Sequence, residues 1–240
     1  MTMAEPAPGT PPAATLLQLM WLASPALPVG GFSYSEALEA AVDTGRVQGE
    51  DGVATWLCAQ MQLVQARSEW PLATAAFQAW QAHDLARVQA LNTWLLSTRD
   101  GSESRQQTEQ MGRSLAEWLR QRSQLEADAD PRIAQLLALP PAPSWPVAFA
   151  LAAQRTGATP QEAVLALAFG WAENMVQAAV KAVPLGQNAG QRVLAALAAD
   201  IPAAVGAALA RTDDTRQAYA PMLAIVAAQH ESQYSRLFRS

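Results

Sequence analysis

The stretch TPQEAVLALAFGWAENMVQAAVKAV, residues 159–183, predicts one long apolar helix. Thr159 and Glu162 have the spacing of a capping box, in which each side chain accepts a hydrogen bond from the other residue's backbone N–H. Pro160 suits the first helical position, where a missing N–H costs nothing. Beyond this start, apolar residues occur on every side of the helix, which is typical of a buried helix. We therefore expect residues 159–183 to form the central helix of the fold.

The rest of the chain shows the same periodicity. Apolar residues recur at intervals of three and four, β-branched residues are sparse, and no alternating run is bounded by hairpin turns. The predicted fold class is all-α, a single-domain bundle of about nine or ten helices with no β-sheet. The other predicted helices cover residues 15–23, 33–45, 51–67, 71–81, the stretch that follows a cap at Asp84, 102–122, 187–199, 202–211 and 221–229.

Prolines set the expected boundaries of the domain. Residues 1–13 contain four prolines and no basic segment of the kind found in signal peptides, so we expect a disordered tail there. Residues 14–240 form the predicted domain, which ends in a docking tail from about residue 230. A proline-rich connection is expected at residues 140–146.

Composition excludes several function classes. The net charge is −5 and only 15% of the 240 residues are charged, so a nucleic-acid role has no electrostatic basis. The most apolar window, residues 193–210, is interrupted by Asp200, Pro202 and Gly206, which argues against a membrane span. The single cysteine, Cys58, fits a reducing compartment, and we expect a cytoplasmic protein.

The segment SPALPVGGFSYSEALE, residues 24–39, predicts a shaped turn between helices. Pro25 and Pro28 supply no backbone donors, and Gly30 can adopt a positive φ. Ser33 and Glu36 have capping-box spacing, which predicts Ser33 as the N-cap of the next helix. Phe32 and Tyr34 flank this start. A plain bundle does not need such detail, so we expect the turn to serve packing or a partner.

Catalytic and metal-binding motifs are missing from the sequence. It contains no Walker loop, no dinucleotide-binding glycine motif, no H-E-x-x-H, no paired C-x-x-C and no nucleophile elbow. Cys58, His83 and His230 are too scattered to predict a metal site, and the apolar neighbours of Cys58 place it in the core. We expect no catalytic residue and no bound cofactor.

Two polar groups lie in or beside the central helix. Glu173, Asn174 and Gln177 interrupt its apolar sequence, and such groups need partners because an unpaired buried polar group is costly. They either form an internal hydrogen-bond network or line a functional polar path. Lys181 lies in the last turn, where the helix dipole or a partner's acidic group explains a cation better than catalysis does. Pro184, Gly186 and Gln187 follow in the next turn.

The sequence ends in residues of the types that anchor interfaces. The segment HESQYSRLFRS, residues 230–240, combines aromatic and arginine side chains. It either docks on a partner or packs on its own bundle. The candidates for partner contact are His230, Tyr234, Arg236, Phe238 and Arg239.

Four segments together resemble the UreF family of urease accessory proteins. They are LASPALPVGGFSYSEALE at residues 22–39, ESRQQTEQMGRSL at 103–115, KAVPLGQNAGQ at 181–191 and HESQYSRLFRS at 230–240. Ala182 stands where the family usually has a bulkier aliphatic residue, and the proline-bearing N-terminus is a further departure. Four ordered motifs of this length make the resemblance specific, and it covers the chain after the tail.

The resemblance implies a non-enzymatic protein that dimerises and binds UreD, also called UreH. Together they recruit the GTPase UreG and support GTP-dependent nickel delivery to urease apoprotein. UreG binds the GTP, and nickel only passes through the complex. Any nickel contact by this chain is expected to be transient, with Glu173, Asn174 and Gln177 as candidates for the lining of a passage, because a site that holds nickel tightly would not release it.

The resemblance also implies roles for individual positions. Tyr34, Lys181, Gly186 and Gln187 are assigned to the surface that meets UreG or to its support, and Asp84 is added to them. The tail from Tyr234 to Arg239 and the turn at residues 24–39 are assigned to UreD binding and dimer geometry. The full set of predicted partner-binding residues is Pro25, Pro28, Gly30, Phe32, Ser33, Tyr34, Asp84, Glu103, Arg105, Lys181, Pro184, Gly186, Gln187, His230, Tyr234, Arg236, Phe238 and Arg239.

The sequence leaves two alternatives open. One is an all-α enzyme that uses Lys181 or His230 as an acid or base. The other is a helical adaptor with an unrelated client. A symmetric homodimer is the expected oligomer in any of these cases, because it is the commonest arrangement of soluble oligomers.

Overall fold

The computed structural model describes residues 11–124 and 130–240. Residues 1–10 of the predicted tail lie outside the described residues, and Ala13, predicted as tail, begins the first helix. The α-helices are α1 Ala13–Ala23, α2 Leu38–Asp43, α3 Gly49–Gln60, α4 Trp70–Gln81, α5 Leu85–Ser97, α6 Ser102–Ser123, α7 Pro131–Leu137, α8 Trp145–Gln154, α9 Pro160–Ala182, α10 Gln187–Leu209 and α11 Pro221–Glu231. A 3₁₀ turn at Gly31–Ser33 and a π-helix at Met61–Glu69 complete them. No strand occurs in the described ranges, and the predicted all-α class is confirmed.

The predicted central helix is α9, and its start is as expected. The Thr159 hydroxyl accepts the Glu162 N–H at 3.2 Å, and the Glu162 carboxylate accepts the Thr159 N–H at 2.7 Å. The helix packs against α1, α2, α4, α8 and α10. Local capping chemistry and an apolar composition were enough to predict this element and its place.

Helix α8 is more deeply buried than α9, and the sequence prediction missed it. Residues 146–153 are all buried, and the indole of Trp80 on α4 donates to the Val147 carbonyl at 3.0 Å. The connection predicted at residues 140–146 ends before Trp145, and Pro146 lies in the first turn of α8, where proline is tolerated. The short α7 was missed as well.

The two helices predicted at residues 51–67 and 71–81 are one continuous helical segment from Gly49 to Gln81. Pro71 lies in the first turn of α4, as predicted, but the residues before it are helical as well. In a regular helix its ring would clash with the carbonyl of Arg67, four residues earlier. The π-helix at Met61–Glu69 widens the backbone there, and the Arg67 carbonyl instead accepts the Gln217 N–H at 3.0 Å.

Helix α10 is also continuous where two helices were predicted, at residues 187–199 and 202–211. Pro202 lies inside it on the exposed side, and the buried stripe formed by Leu197, Ile201 and Val205 runs past it without a break. Packing of that stripe on the bundle offsets the hydrogen bond that proline removes.

The unbroken length of α10 also changes the prediction about membrane-spanning helices. By length and composition, α9 and α10 could each cross a membrane, so the expectation that no window is long and apolar enough was wrong. In the structure the two helices pack against each other, and half of the most apolar window of α9 is buried. The core helices of a bundle pass the same length test.

The turn at residues 24–39 departs from its predicted form after Gly30. Gly30 has the expected positive φ of 77°, but Ser33 is not an N-cap: it ends the 3₁₀ turn, and α2 begins only at Leu38. Glu36 and Ala37 have φ values of 51° and 65°, a left-handed conformation that is strained for residues with a side chain. The Glu36 carboxylate turns inward instead of capping a helix.

Candidate functional site

The turn, α6 and the C-terminal segment meet at one end of the bundle. The Tyr34 hydroxyl donates to the Gln110 side-chain carbonyl at 2.6 Å, and Arg239 donates to the same oxygen at 3.2 Å. The backbone N–H of Arg239 also donates to the Ser33 carbonyl at 2.8 Å. Burial raises the pKa of the Tyr34 hydroxyl, and the hydrogen bond and charge of Arg239 oppose that shift. Three segments that were predicted separately therefore form one structural unit.

The turn after α9 belongs to the same end of the molecule. Lys181 is exposed in the last turn of α9, with its Nζ 5.9 Å from the centre of the Phe238 ring, which is a cation–π distance. Pro184, Gly186 and Gln187 are exposed, and Gly186 is the N-cap of α10. All four segments that carry the family resemblance thus lie next to one another.

His230 lies at the centre of a charged cluster and not on the surface. Its ring is fully buried, with Nδ1 2.6 Å from a Glu103 oxygen and Nε2 3.3 Å from a Glu39 oxygen. Arg236 pairs with the other oxygen of Glu103. Since both ring nitrogens face carboxylates of the same chain, neither is free to act on a substrate, and the enzyme alternative loses His230 as its acid or base.

Glu39, a residue that the sequence prediction did not single out, helps to fix the C-terminal segment. Its buried carboxylate accepts the backbone N–H groups of Leu237 at 2.7 Å and Phe238 at 2.9 Å. Phe238 is buried in the core. The segment therefore packs on its own bundle, which was one of the two predicted outcomes, while Tyr234 is fully exposed and free to make contacts.

A cavity of about 140 Å³ lies beneath this end of the bundle; we call it the chamber. Its walls include apolar side chains such as Leu27, Val29 and Leu167. Its polar lining includes Glu36 and the ion pair of Glu69 with Arg99, whose charged atoms are 2.7 Å apart. The chamber combines an apolar wall with a small set of convergent polar groups, the usual character of a binding or transit cavity.

Glu36 is the most perturbed group of the chamber. Its carboxylate accepts the indole N–H of Trp171 at 3.0 Å and the side-chain amide of Gln107 at 3.1 Å. Burial raises the pKa of Glu36 to about 7, and the neighbouring charge of Glu69 adds to the effect, while the two hydrogen bonds and Arg99 oppose it. A carboxyl group with such a pKa can gain or lose a proton near neutral pH.

Of the three polar residues predicted inside α9, only Asn174 lines the chamber. Glu173 and Gln177 are half-buried beside it in the helix but are not part of the lining. Across the described ranges, none of the three side chains forms a hydrogen bond within the chain, so the internal network predicted as one alternative was wrong. A separate network joins Glu36, Gln107 and Trp171.

The remaining predicted residues have simpler surroundings. Pro25, Pro28 and Phe32 are exposed on the turn. Asp84 caps α5 by accepting the Arg87 N–H at 2.9 Å, as its position before that helix predicted. Arg105 forms a surface ion pair with Glu109 at 3.0 Å. Their partner-binding roles stay predictions.

Two soft ligand candidates from the sequence lie apart from the chamber. Cys58, predicted in the core, is only half-buried, with its Sγ 3.5 Å from an Asp200 oxygen. Burial and Asp200 raise the pKa of this thiol. His83 is exposed. In the part of the chain that the structure describes, no three His, Cys, Asp or Glu side chains are grouped so as to hold a metal ion.

Comparison with known proteins agrees with the four motifs. The family model named UreF matches residues 47–198. A urease accessory protein UreF from Paracidovorax citrulli is 60% identical over 98% of this chain and 92% of its own length. Those from Methylibium petroleiphilum and a Polaromonas species are 62% and 56% identical, each over 95% of this chain and over 95% and 96% of their own lengths. Each relative is named as a protein accessory to an enzyme, in agreement with the prediction that this chain is not an enzyme itself. The chain belongs to the UreF family of urease accessory proteins.

Proposed function

We propose that this protein acts with UreD and the GTPase UreG in the GTP-dependent insertion of nickel into urease apoprotein. The observation that carries the proposal is the similarity to urease accessory proteins over nearly the whole chain. The protein itself contributes binding surfaces and no catalytic residues. UreG binds GTP, and nickel is the ion that the complex delivers. It works in the cytoplasm as a homodimer within the complex.

The turn around Lys181 is the proposed contact with UreG. Its support is geometric: Lys181, Gly186 and Gln187 are all exposed on one turn, so a partner can reach them without any rearrangement of the bundle. A Cβ at Gly186 would meet no atom within 4 Å, which leaves this part of the turn open to a close approach. Tyr34, by contrast, is buried and supports the surface from below.

The exposed apolar groups near the C-terminus are the proposed contact with UreD. Tyr234 and Leu237 point away from the bundle, with the Leu237 side chain 72% exposed, and Phe32 on the turn is 62% exposed. Large apolar side chains of this kind anchor protein interfaces when a partner buries them. Phe238 and His230 contribute indirectly, because they fix the backbone that carries these groups.

The chamber is the proposed place where nickel passes. Asn174 and the carboxylates of Glu36 and Glu69 are oxygen donors, which bind a borderline cation more weakly than thiolates or imidazoles do. Weak ligands of this kind suit an ion that must be released to the next site. Glu173 and Gln177, which lie outside the lining, are no longer candidates for first contact with the ion in this conformation.

The Lys181 surface is tested by the substitution Lys181→Ala in a complex reconstituted with UreD, UreG and urease apoprotein. We expect normal folding, because the side chain is exposed, but weakened recovery of UreG with the complex and a loss of urease activation of about tenfold or more, the loss typical of an interface hot spot. GTP hydrolysis by the assembled complex is measured in parallel.

The matched control is Arg46→Ala, which removes an exposed cation from the loop after α2. It should leave UreG recovery and urease activation unchanged. If Lys181→Ala behaves like Arg46→Ala in both assays, the assignment of this surface is wrong.

A further inference from the structure

One wall of the chamber is built from the end of the chain. Leu223, Ala227 and Glu231 of α11 line the cavity, and Ser240 lines it too. The Ser240 hydroxyl donates to the side-chain carbonyl of Gln107 at 3.2 Å, and the amide of that same Gln107 donates to Glu36. Residues 221–240 therefore cover the chamber and connect to its acidic group through a single side chain.

This wall is attached by few apolar contacts. Between residues 221 and 240, Val226 and Phe238 are the only buried apolar side chains, while Met222 and Ile225 face outward at about half exposure. Elements with little buried apolar surface open at lower free energy than the core of a domain. In contrast, α8 at the centre of the bundle is buried from residue 146 to 153.

Polar contacts hold this wall in place. Several of them converge on two carboxylates, and the N–H and hydroxyl of Ser35 both donate to the Ser240 carbonyl. His230 bridges Glu39 on α2 and Glu103 on α6. Glu39 also accepts the backbone of residues 237 and 238, and Glu103 also accepts Arg236. A side contact joins Glu231 to the Ser102 hydroxyl at 2.9 Å and to the Glu103 N–H at 3.2 Å. Removal of His230 would leave the buried carboxylate of Glu39 and the half-buried carboxylate of Glu103 without their common partner.

We propose that residues 221–240 form a lid that opens over the chamber as one unit, and that His230, held between Glu39 and Glu103, is its latch. The lid is a property of the isolated chain and does not depend on the proposed role in nickel delivery. When the lid opens, the chamber loses this wall, and Glu36 and Asn174, which are half-buried with the lid in place, become more exposed to solvent.

Hydrogen exchange measured by mass spectrometry on the full chain tests the latch. The variant His230→Gln keeps a polar side chain of similar size but cannot bridge both carboxylates in the same way. We expect amide exchange in residues 221–240 to become about tenfold faster or more, with the exchange of α8 unchanged, because a lost buried hydrogen bond to a charged group shifts a local opening equilibrium by about that factor.

The matched control is Gln229→Ala, an exposed position on the same helix, which should change exchange in the lid by less than about twofold. Unchanged exchange of residues 221–240 in His230→Gln overturns the latch. Equal acceleration in the lid and in α8 overturns it too, because His230 would then stabilise the whole domain and not the lid.

A second measurement tests lid opening without altering the latch. Met111 lines the chamber and is almost buried, so Met111→Cys in a Cys58→Ser background places the chain's only thiol inside the chamber. We expect its reaction with a thiol reagent to be slowed, relative to an exposed thiol, by about the factor by which lid amides are protected from exchange. If the thiol reacts only as fast as global unfolding of the chain exposes it, the lid does not open.

Discussion

The backbone around Glu36 directs its carboxylate into a position where water solvates it poorly. Two consecutive residues with positive φ, Glu36 and Ala37, turn the carboxylate away from a helix start and toward Trp171 and Gln107. Left-handed backbone at residues with a side chain is strained and persists where the surroundings determine it. Here the surroundings are the chamber wall.

The substitution Glu36→Gln should change how stability depends on pH. The pKa of Glu36 is about 7 in the folded chain and near 4.5 when unfolded, so the folded state binds more protons between these values and wild-type stability falls as pH rises from 4.5 to 7. The variant does not lose stability in this way, because glutamine does not titrate. Above pH 7 it should be more stable than the wild type by roughly 1 to 3 kcal/mol, as measured by urea unfolding at a series of pH values.

The control for this prediction is Glu50→Gln. Glu50 forms a surface ion pair with Arg192, and its pKa lies below the ordinary value, so it titrates below the window of interest. Its removal should leave the slope between pH 4.5 and 7 as in the wild type. If Glu36→Gln shows the wild-type slope there as well, the raised pKa assigned to Glu36 is wrong.

Sequence reasoning identified the segment that contains Glu36 but not the role of this residue. The spacing of Ser33 and Glu36 matches a capping box, and local spacing cannot reveal that the indole of Trp171, 135 positions later, offers the carboxylate a hydrogen bond. Glu39 was missed for a related reason: an acid within a short helix is usually solvated, and its partners here lie at the other end of the chain.

At the scale of elements, the close approach of α6 to the loop before α8 depends on one glycine. A Cβ at Gly112 would lie 2.1 Å from the Pro143 carbonyl oxygen, and backbone cannot yield as a flexible side chain can. We expect Gly112→Ala to destabilise the protein by about 2 kcal/mol or more, measured as a lower urea midpoint with an unchanged slope.

The substitution Gly206→Ala should have the opposite effect on the free energy of unfolding, measured by the same urea unfolding. Gly206 lies within α10 on the exposed side, and an added Cβ would meet no atom within 4 Å. Alanine should therefore raise stability by about 0.5 to 1 kcal/mol through its better helix propensity. A similar response of the two variants would contradict the described contact of α6 with residue 143.

Helices with local start signals were predictable, and helices that depend on tertiary packing were not. The capping box of α9 and the Asp84 cap of α5 are encoded within four residues. Pro71 and Pro202, in contrast, are ordinary stop signals, and the chain continues through both because a distant N–H from Gln217 or a continuous buried stripe compensates. No window of sequence around either proline contains that information.

For the whole molecule, the four motifs are visible in the sequence, and the structure shows how they are arranged. Residues 24–39, the start of α6, the turn after α9 and the C-terminal segment lie together above one chamber. The family could be predicted from the motifs alone. The chamber and the lid could not, because they depend on contacts between residues far apart in the sequence, such as Trp171 with Glu36 and Phe238 with Glu39.

The central claim is that this chain is required for urease maturation, and a reconstituted activation assay tests it most directly. Urease apoprotein, UreD, UreG, GTP and nickel are combined with and without the chain, and urease activity is measured. We expect substantial activity only when the chain is present, with UreD and UreG recovered in one complex with it. Equal activity without the chain would contradict the account.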